Sequence, residues 1–251
     1  MAFTLAAWYQ SVAPNGSYVD LDAVPDPHLT VVGKDVLCPE LNRLLGLAAY
    51  VDNVGSPQAR LTAPSLLEDG YPEYISTLMW GAVPANPPKY NDHRGNPIEL
   101  DPVEALKCQV LTGSTTAAAH YGLIWLGDGP VTPATGRIRT VRATANVTLV
   151  AGTWVNGSLT FPVSLKAGRY AVVGMKAIGA NLLAARLVFP GMAWRPGVLG
   201  SGNRATQEVD AFRGGNFGVF GEFAHSSPPT VDCLGSTDTS QQIDLDLIYL
   251  G

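Results

Sequence analysis

The sequence predicts an all-β protein built as two tandem β-sandwiches with long loops rich in Gly and Pro. Three observations predict it. The chain has 251 residues with 27 glycines and 19 prolines. Its apolar residues fall in short runs broken by Asn-Gly, Asp-Gly, Pro-Pro and Gly-Gly, the punctuation of sandwiches and barrels. Second, Leu123-Ile124-Trp125-Leu126-Gly127 near the midpoint returns as Leu247-Ile248-Tyr249-Leu250-Gly251, an offset of 124 residues. Third, two further matches keep nearly that offset. Ala59-Arg60-Leu61 with Pro64 returns as Ala185-Arg186-Leu187 with Pro190, and Gly113-Ser114-Thr115 as Gly235-Ser236-Thr237. The order of the three is preserved and the offset drifts as loop insertions would make it drift. A solenoid unit is only ~20–50 residues long; this period is that of a whole small domain.

The elements follow in chain order. Residues 1–35, with Pro14-Asn15-Gly16 and Pro25-Asp26-Pro27, read as an N-terminal arm. Leu41–Val51 fits a short helix or a strand equally well. Strand-like runs follow at Ala59–Ala63, Tyr74–Trp80, Ala105–Leu111 and Tyr121–Leu126, with a polar, Pro-rich loop over Pro84–Pro97. The turn formers Gly127-Asp128-Gly129-Pro130, with Pro133 and Gly136 close behind, mark a domain boundary. Beyond it, Ile138–Val150 alternates over part of its length, and Thr153–Phe161 carries an Asn156-Gly157 hairpin signal. Strands are expected at Ala171–Met175, Leu182–Phe189 and Gln241–Leu250, with Pro190–Phe220 as a Gly-rich excursion of long loops. Seven or eight short strands per half suit an eight-stranded jelly roll. The expected organisation is an arm over 1–35, a first jelly roll over 36–128 and a second over 129–251.

Composition narrows the function. Apolar residues make up 46% and charged residues 15%, with no apolar run near the ~18 residues of a membrane-spanning helix. The first residues lack the basic n-region of a secretory signal, so the chain reads as soluble and unexported. Cys38, Cys108 and Cys233 are an odd, scattered set, read as buried apolar side chains rather than a disulfide framework or zinc site. Asn15-Gly16-Ser17, Asn146-Val147-Thr148 and Asn156-Gly157-Ser158 fit the glycosylation pattern but read as turns in an unexported chain. Net charge is −5; residues 1–127 carry 6 basic and 13 acidic side chains (−7), residues 128–251 carry 10 and 8 (+2). Nucleic-acid binding calls for a stronger basic face, and Arg137, Arg139 and Arg142 read as charges guarding a strand edge.

A search for chemistry returns no catalytic, cofactor or metal residues. There is no Gly-x-Ser-x-Gly elbow, phosphate loop or dinucleotide fingerprint. His28, His93, His120 and His225 stand far apart, and neither half has the His-x-His of a cupin metal site. Asp20 with Asp22, and Asp244 with Asp246, put two carboxylates on one strand face; this is half of a calcium site or an acid/base pair, but more simply an outward polar face. By the same parity Tyr249 and its counterpart Trp125 point into the core. Trp8, Trp80, Trp154 and Trp194 are left for surface roles. Arg60 and Arg186 read either as equivalent subunit contacts or as charged strand-end residues inherited with the duplication.

A chain of two fused jelly-roll-like domains without a catalytic set resembles the double jelly-roll major capsid proteins, the lineage of adenovirus hexon and of tailless, membrane-containing bacteriophages. The resemblance is architectural and rests on the three repeated segments, so no functional residue is carried over. It implies a non-enzymatic virion protein without a cofactor: three chains closing into a pseudo-hexameric capsomer of an icosahedral shell, assembled in the host cytoplasm. It also implies partners: other copies of the chain in neighbouring capsomers, together with minor capsid, vertex or membrane proteins of the virion. The alternatives are a two-domain binding module, such as a sugar-binding or spike protein, and a bicupin-type enzyme.

Overall fold

Alternation along the chain becomes alternation across a sheet. In the computed structural model, which describes residues 2–51, 57–68, 70–75, 77–79, 90–202 and 210–251, Ala105–Leu111 is a strand whose residues are half-buried and buried in turn. Leu106, Cys108 and Val110 enter a core, while Lys107 and Gln109 face outward. Arg43–Val51, ambiguous in sequence, is a strand buried along almost its whole length. Cover on both faces removes the polar alternation that would have identified it. The expectation of residues 1–35 as an arm fails for the same reason. Phe3–Val12 is a ten-residue strand inside a sheet, and Phe3, Leu5, Ala6 and Trp8 are at most 1% exposed.

The chain divides into two compact units, with the break between Pro130 and Val131 inside the predicted run of turn formers. One unit holds the described residues from Leu5 to Pro130; the other holds Val131–Gly251 and the first residues through Thr4. Both are all-β jelly-roll sandwiches with the same strand circuit.

In the second unit, the opening strand Ile138–Ala145 pairs with the closing strand Gln241–Tyr249, which pairs in turn with Arg169–Ile178. Gly221–Ala224 flanks Arg169–Ile178. The opposing layer runs Gly197–Ser201, Leu182–Val188, Thr230–Gly235, Val155–Ser158. Gly197–Ser201 also leaves that layer at its end, where Gly200 and Ser201 pair in parallel with Ala177 and Ile178.

In the first unit, Phe3–Val12 lies beside the closing strand Ala118–Gly127, which pairs with Arg43–Val51. Glu73–Ile75, Gln58–Thr62, Ala105–Leu111 and Asp35–Leu37 make the opposing layer. Here too the chain crosses over: Thr77–Met79, just beyond Glu73–Ile75, pairs in parallel with Ala49–Val51.

The three repeated segments occupy matching places in this circuit. The Ala-Arg-Leu elements lie on Gln58–Thr62 and Leu182–Val188, which pair with Ala105–Leu111 and Thr230–Gly235 respectively. Both Gly-Ser-Thr segments lie at or just past the ends of those partner strands, and both Leu-Ile-aromatic-Leu-Gly segments end a closing strand.

The last pair, however, differs in facing. A Cβ placed on Gly122 would collide with the Cys108 thiol of the opposing layer, so Gly122, Ile124 and Leu126 face inward and Trp125 faces out. Trp125 is nonetheless fully buried, with Tyr90 edge-on at 5.2 Å between ring centroids. In the second unit, a Cβ on Gly157 would meet Val147 and Ala145. That marks Ala145, and by register Gln241, Leu245, Leu247 and Tyr249, as inward. Tyr249 reaches the open end of the sandwich and is 41% exposed. Trp125 is buried and Tyr249 faces inward, as expected, but the two are not equivalent: Trp125 is buried beneath Tyr90 on the outer face, and Tyr249 is partly exposed.

Two loop expectations also change. Asn156-Gly157 is not a hairpin turn but the middle of strand Val155–Ser158, where a side chain on Gly157 would strike Val147. The Pro190–Phe220 excursion contains the fully buried strand Gly197–Ser201 and a 3₁₀ turn at Asp210–Phe212. Positions 203–209 of that excursion, 84–89 of the Pro-rich loop, and Trp80 lie outside the described residues.

Candidate functional site

The repeated arginines stand in the middle of their strands, so the strand-end expectation does not hold. Each sits on the outer face of the layer opposite its closing strand, where it joins three strands. In the first unit Arg60 lies opposite Gln109, and Gln109 opposite Asp20 on the far side. Arg60 Nε donates to Gln109 Oε1 at 2.7 Å, and Gln109 Nε2 donates to Asp20 Oδ1 at 2.6 Å. The guanidinium rests 3.6 Å from the centroid of the Tyr18 ring.

The second unit repeats this arrangement strand for strand. Arg186 lies opposite Asp232, and Asp232 opposite Asn156. Arg186 Nε donates to Asp232 Oδ2 at 3.0 Å, and Asn156 Nδ2 donates to Asp232 Oδ1 at 2.8 Å. The Arg186 guanidinium lies 4.1 Å from the Trp154 ring.

Each node therefore holds an arginine over an aromatic ring, plus one carboxylate and one amide; the last two are exchanged between strands. The aromatic and its polar companion are two residues apart in both units (Tyr18 and Asp20, Trp154 and Asn156), the spacing that puts both on one strand face. That shared spacing is the available sequence signal for four of the six node partners; Gln109 and Asp232 carry none.

The exchange changes the electrostatics. Arg186 is 0% exposed and bonds a carboxylate directly, whereas Arg60 is half-buried and bonds a neutral amide. A buried cation requires a hydrogen-bonded counter-charge, while one reaching water does not. Full burial also removes Arg186 from any subunit contact; Arg60 lines an open surface hollow of about 410 Å³ with Thr62, Leu67 and Lys107.

The paired aspartates separate. Asp20 pairs within the outer layer, whereas Asp22 pairs with Tyr9 in the other sheet, the chain crossing over at the fully buried Leu21. Asp244 and Asp246 do share a face, but it is not an open polar one. Asp246 is 2% exposed and accepts from Arg213 Nε (2.8 Å), Thr140 Oγ1 (2.7 Å) and the Gly214 N–H (2.9 Å). Although burial works to raise its pKa, the Arg213, Gly214 and Thr140 hydrogen bonds outweigh it and hold Asp246 below the ordinary carboxylate range. Neither pair forms a vacant ligand site; among the described residues, no three His, Cys, Asp or Glu side chains group as metal ligands would.

The remaining candidates have structural roles. All three thiols are free and buried, and burial pushes Cys38, Cys108 and Cys233 each up to about 12, far from the thiolate form a nucleophile needs. His120 Nε2 lies 3.1 Å from the Val12 carbonyl, His93 pairs with Glu73 at 3.2 Å, and His225 accepts from the Gly168 N–H. Trp8, expected at the surface, is fully buried and donates to the Lys34 carbonyl at 3.0 Å. Trp154 belongs to the Arg186 node. Arg139 and Arg142 lie exposed on Ile138–Ala145, an edge strand as their charge predicts, with Arg137 exposed just before it. Among the described residues no helix is long and apolar enough to cross a membrane.

Comparison with known proteins adds little to this geometry. No family model matches the chain, and no curated protein matches it. Among solved structures, the major capsid protein P2 from bacteriophage PM2 aligns over 99% of this chain and 98% of its own, with 8% identity and a TM-score of 0.26. That is a weak, fold-level resemblance.

Proposed function

We propose that the chain is a non-enzymatic structural protein that self-assembles, and that its role is that of a major capsid protein forming homotrimeric, pseudo-hexameric capsomers. The carrying observation is the duplication: two jelly-roll units with one strand circuit and one arginine node, each closed by its own last strand. Three two-unit chains around a three-fold axis present six similar bodies. Duplication then lets the two bodies diverge toward unlike neighbours, as the charges of −7 over residues 1–127 and +2 over residues 128–251 do. Arg60, Arg186, Asp20 and Asp246 are engaged in cross-strand bonding, consistent with a mechanical role. The weak structural overlap is no part of this support.

Light scattering after size exclusion, with negative-stain imaging, tests the reading. A particle of about three times 26.5 kDa with a hexagonal outline is the expected result. A stable monomer, with or without bound sugar or metal, would overturn it.

A further inference from the structure

The second unit ends in an open groove with a cavity volume of about 540 Å³, at the mouth of its sandwich. Its floor and wall are apolar: Leu247 and Tyr249 from the closing strand, and Val163 from the loop before Arg169, with Tyr249 41% and Val163 72% exposed. Its rim is basic, from Arg137, Arg139 and Lys166. Lys166 rests its ammonium 4.5 Å from the Tyr249 ring centroid. No carboxylate of a described residue pairs with any of these three cations, whereas Arg142, Arg169, Arg186 and Arg213 all have one. An apolar hollow ringed by uncompensated cations calls for a partner that is apolar at its tip and acidic at its side.

The first unit presents such a feature. The short helix Pro64–Glu68 turns its Leu66 inward and leaves Leu67 55% exposed, with Glu68 beside it. Gly70, at φ 97°, reverses the chain, and the Gly70 and Tyr71 N–H groups donate to the carbonyls of Leu67 (3.0 Å) and Leu66 (3.2 Å). These bonds tie Gly70 and Tyr71 back to the helix, and Tyr71 is 77% exposed. Two large exposed side chains, Leu67 and Tyr71, with the exposed Glu68 in the half carrying −7, complement the groove in the half carrying +2.

We infer that the Leu67, Glu68 and Tyr71 side chains of one copy dock into the Arg137–Arg139–Lys166 groove of a second copy. This rests on the self-assembly reading and deepens it. The contact is head-to-tail, joining the first unit of one chain to the second unit of the next, the kind that closes rings around an axis. Cavities of about 300–1,000 Å³ take a drug-sized body, and the Leu67 and Tyr71 side chains together are of that size.

The test uses the full chain. Arg139→Glu and Glu68→Arg each reverse an exposed charge, so the circular dichroism spectrum and melting temperature should stay at wild-type values. Each is expected to weaken assembly about tenfold or more by light scattering across a dilution series, and the double variant, in which every head-to-tail contact is again complementary, to restore it. Independently, chains carrying Leu67→Cys mixed with chains carrying Val163→Cys should form an oxidised cross-linked dimer, since the three native thiols are buried.

Wild-type assembly by both variants, absence of rescue, or absence of the mixed cross-link while the wild type assembles would overturn the docking and leave self-assembly standing. Saturable binding in the groove of an anionic amphiphile such as dodecanoate, without any effect on assembly, would also overturn it. A wild type that stays monomeric at every concentration would overturn the self-assembly reading, and this inference with it.

Discussion

The two arginine nodes are built from the same parts in the same strands, yet they place different demands on the molecule. In the first unit Arg60 reaches water, so a neutral amide is a sufficient partner and the Asp20 carboxylate sits one strand further away. In the second, Arg186 is sealed, and the carboxylate has moved to the adjacent strand, in direct contact. Exchanging Asp–Gln for Asn–Asp keeps the number of charges and hydrogen-bonding groups constant while relocating the negative charge by one strand. Burial depth explains that relocation. An exposed pair contributes at most about 1 kcal/mol, and a buried charge that loses its partner costs about 3–5 kcal/mol. The same motif is thus an ornament of one sheet and a keystone of the other.

The contrast breaks most visibly at Asp232. Asp232→Gln replaces the carboxylate that accepts from the sealed Arg186 with an amide, the partner Arg60 tolerates, and should cost about 3–5 kcal/mol in urea unfolding. A cost below about 1 kcal/mol would mean that burial does not distinguish the nodes. Next comes Asp246, the second sealed carboxylate of that unit. Its pKa is depressed in the folded state, so its stabilisation is complete above the unfolded value of about 3.9 and fades as pH falls through the folded value. Asp246→Asn should lower stability by about 1.5–3 kcal/mol at neutral pH, where charge-assisted bonds to Arg213 are lost. It should also flatten the acid limb of a stability-against-pH curve. An acid limb as steep as that of the wild type would assign the acid sensitivity elsewhere.

How far the sequence could be read follows the same line between open and covered faces. Ala105–Leu111 has one covered face and was legible residue by residue. Phe3–Trp8 and Arg43–Val51, covered on both, carry no alternation, so their sequence does not distinguish them from an arm or a helix. The Leu-Ile-aromatic-Leu-Gly repeat correctly marked both closing strands but misled on facing, because a five-residue match does not fix which side of a sheet it presents. Asp246 read as solvated because Asp-Leu-Asp-Leu alternates. Its cover, Arg213, lies 33 residues earlier in a Gly-rich excursion with no pattern to read. Of the arginine nodes only the arginine itself was visible, since the exchange of carboxylate and amide hides the partners from any residue-by-residue comparison of the halves.

Smaller effects belong to the open node. Arg60→Leu removes the Gln109 bond and the contact with Tyr18, and should cost about 1 kcal/mol, read as a shift of the urea midpoint at unchanged slope.

The sharpest test has the smallest expected effect. Asp20→Asn combined with Gln109→Asp rewrites the first node in the second unit's order, placing a carboxylate directly against Arg60 and an amide beyond it. Every hydrogen-bond partner is kept and net charge is unchanged. With Arg60 reaching water, the relocated charge gains only a screened ion pair, so stability should move by no more than about 0.5 kcal/mol. The corresponding exchange in the second unit, Asn156→Asp with Asp232→Gln, also conserves charge, yet moves the carboxylate away from a guanidinium that has no water to replace it. Matching outcomes for the two exchanges would show that strand order alone sets the pattern. A near-zero change in the first unit beside a loss of several kcal/mol in the second would assign it to burial.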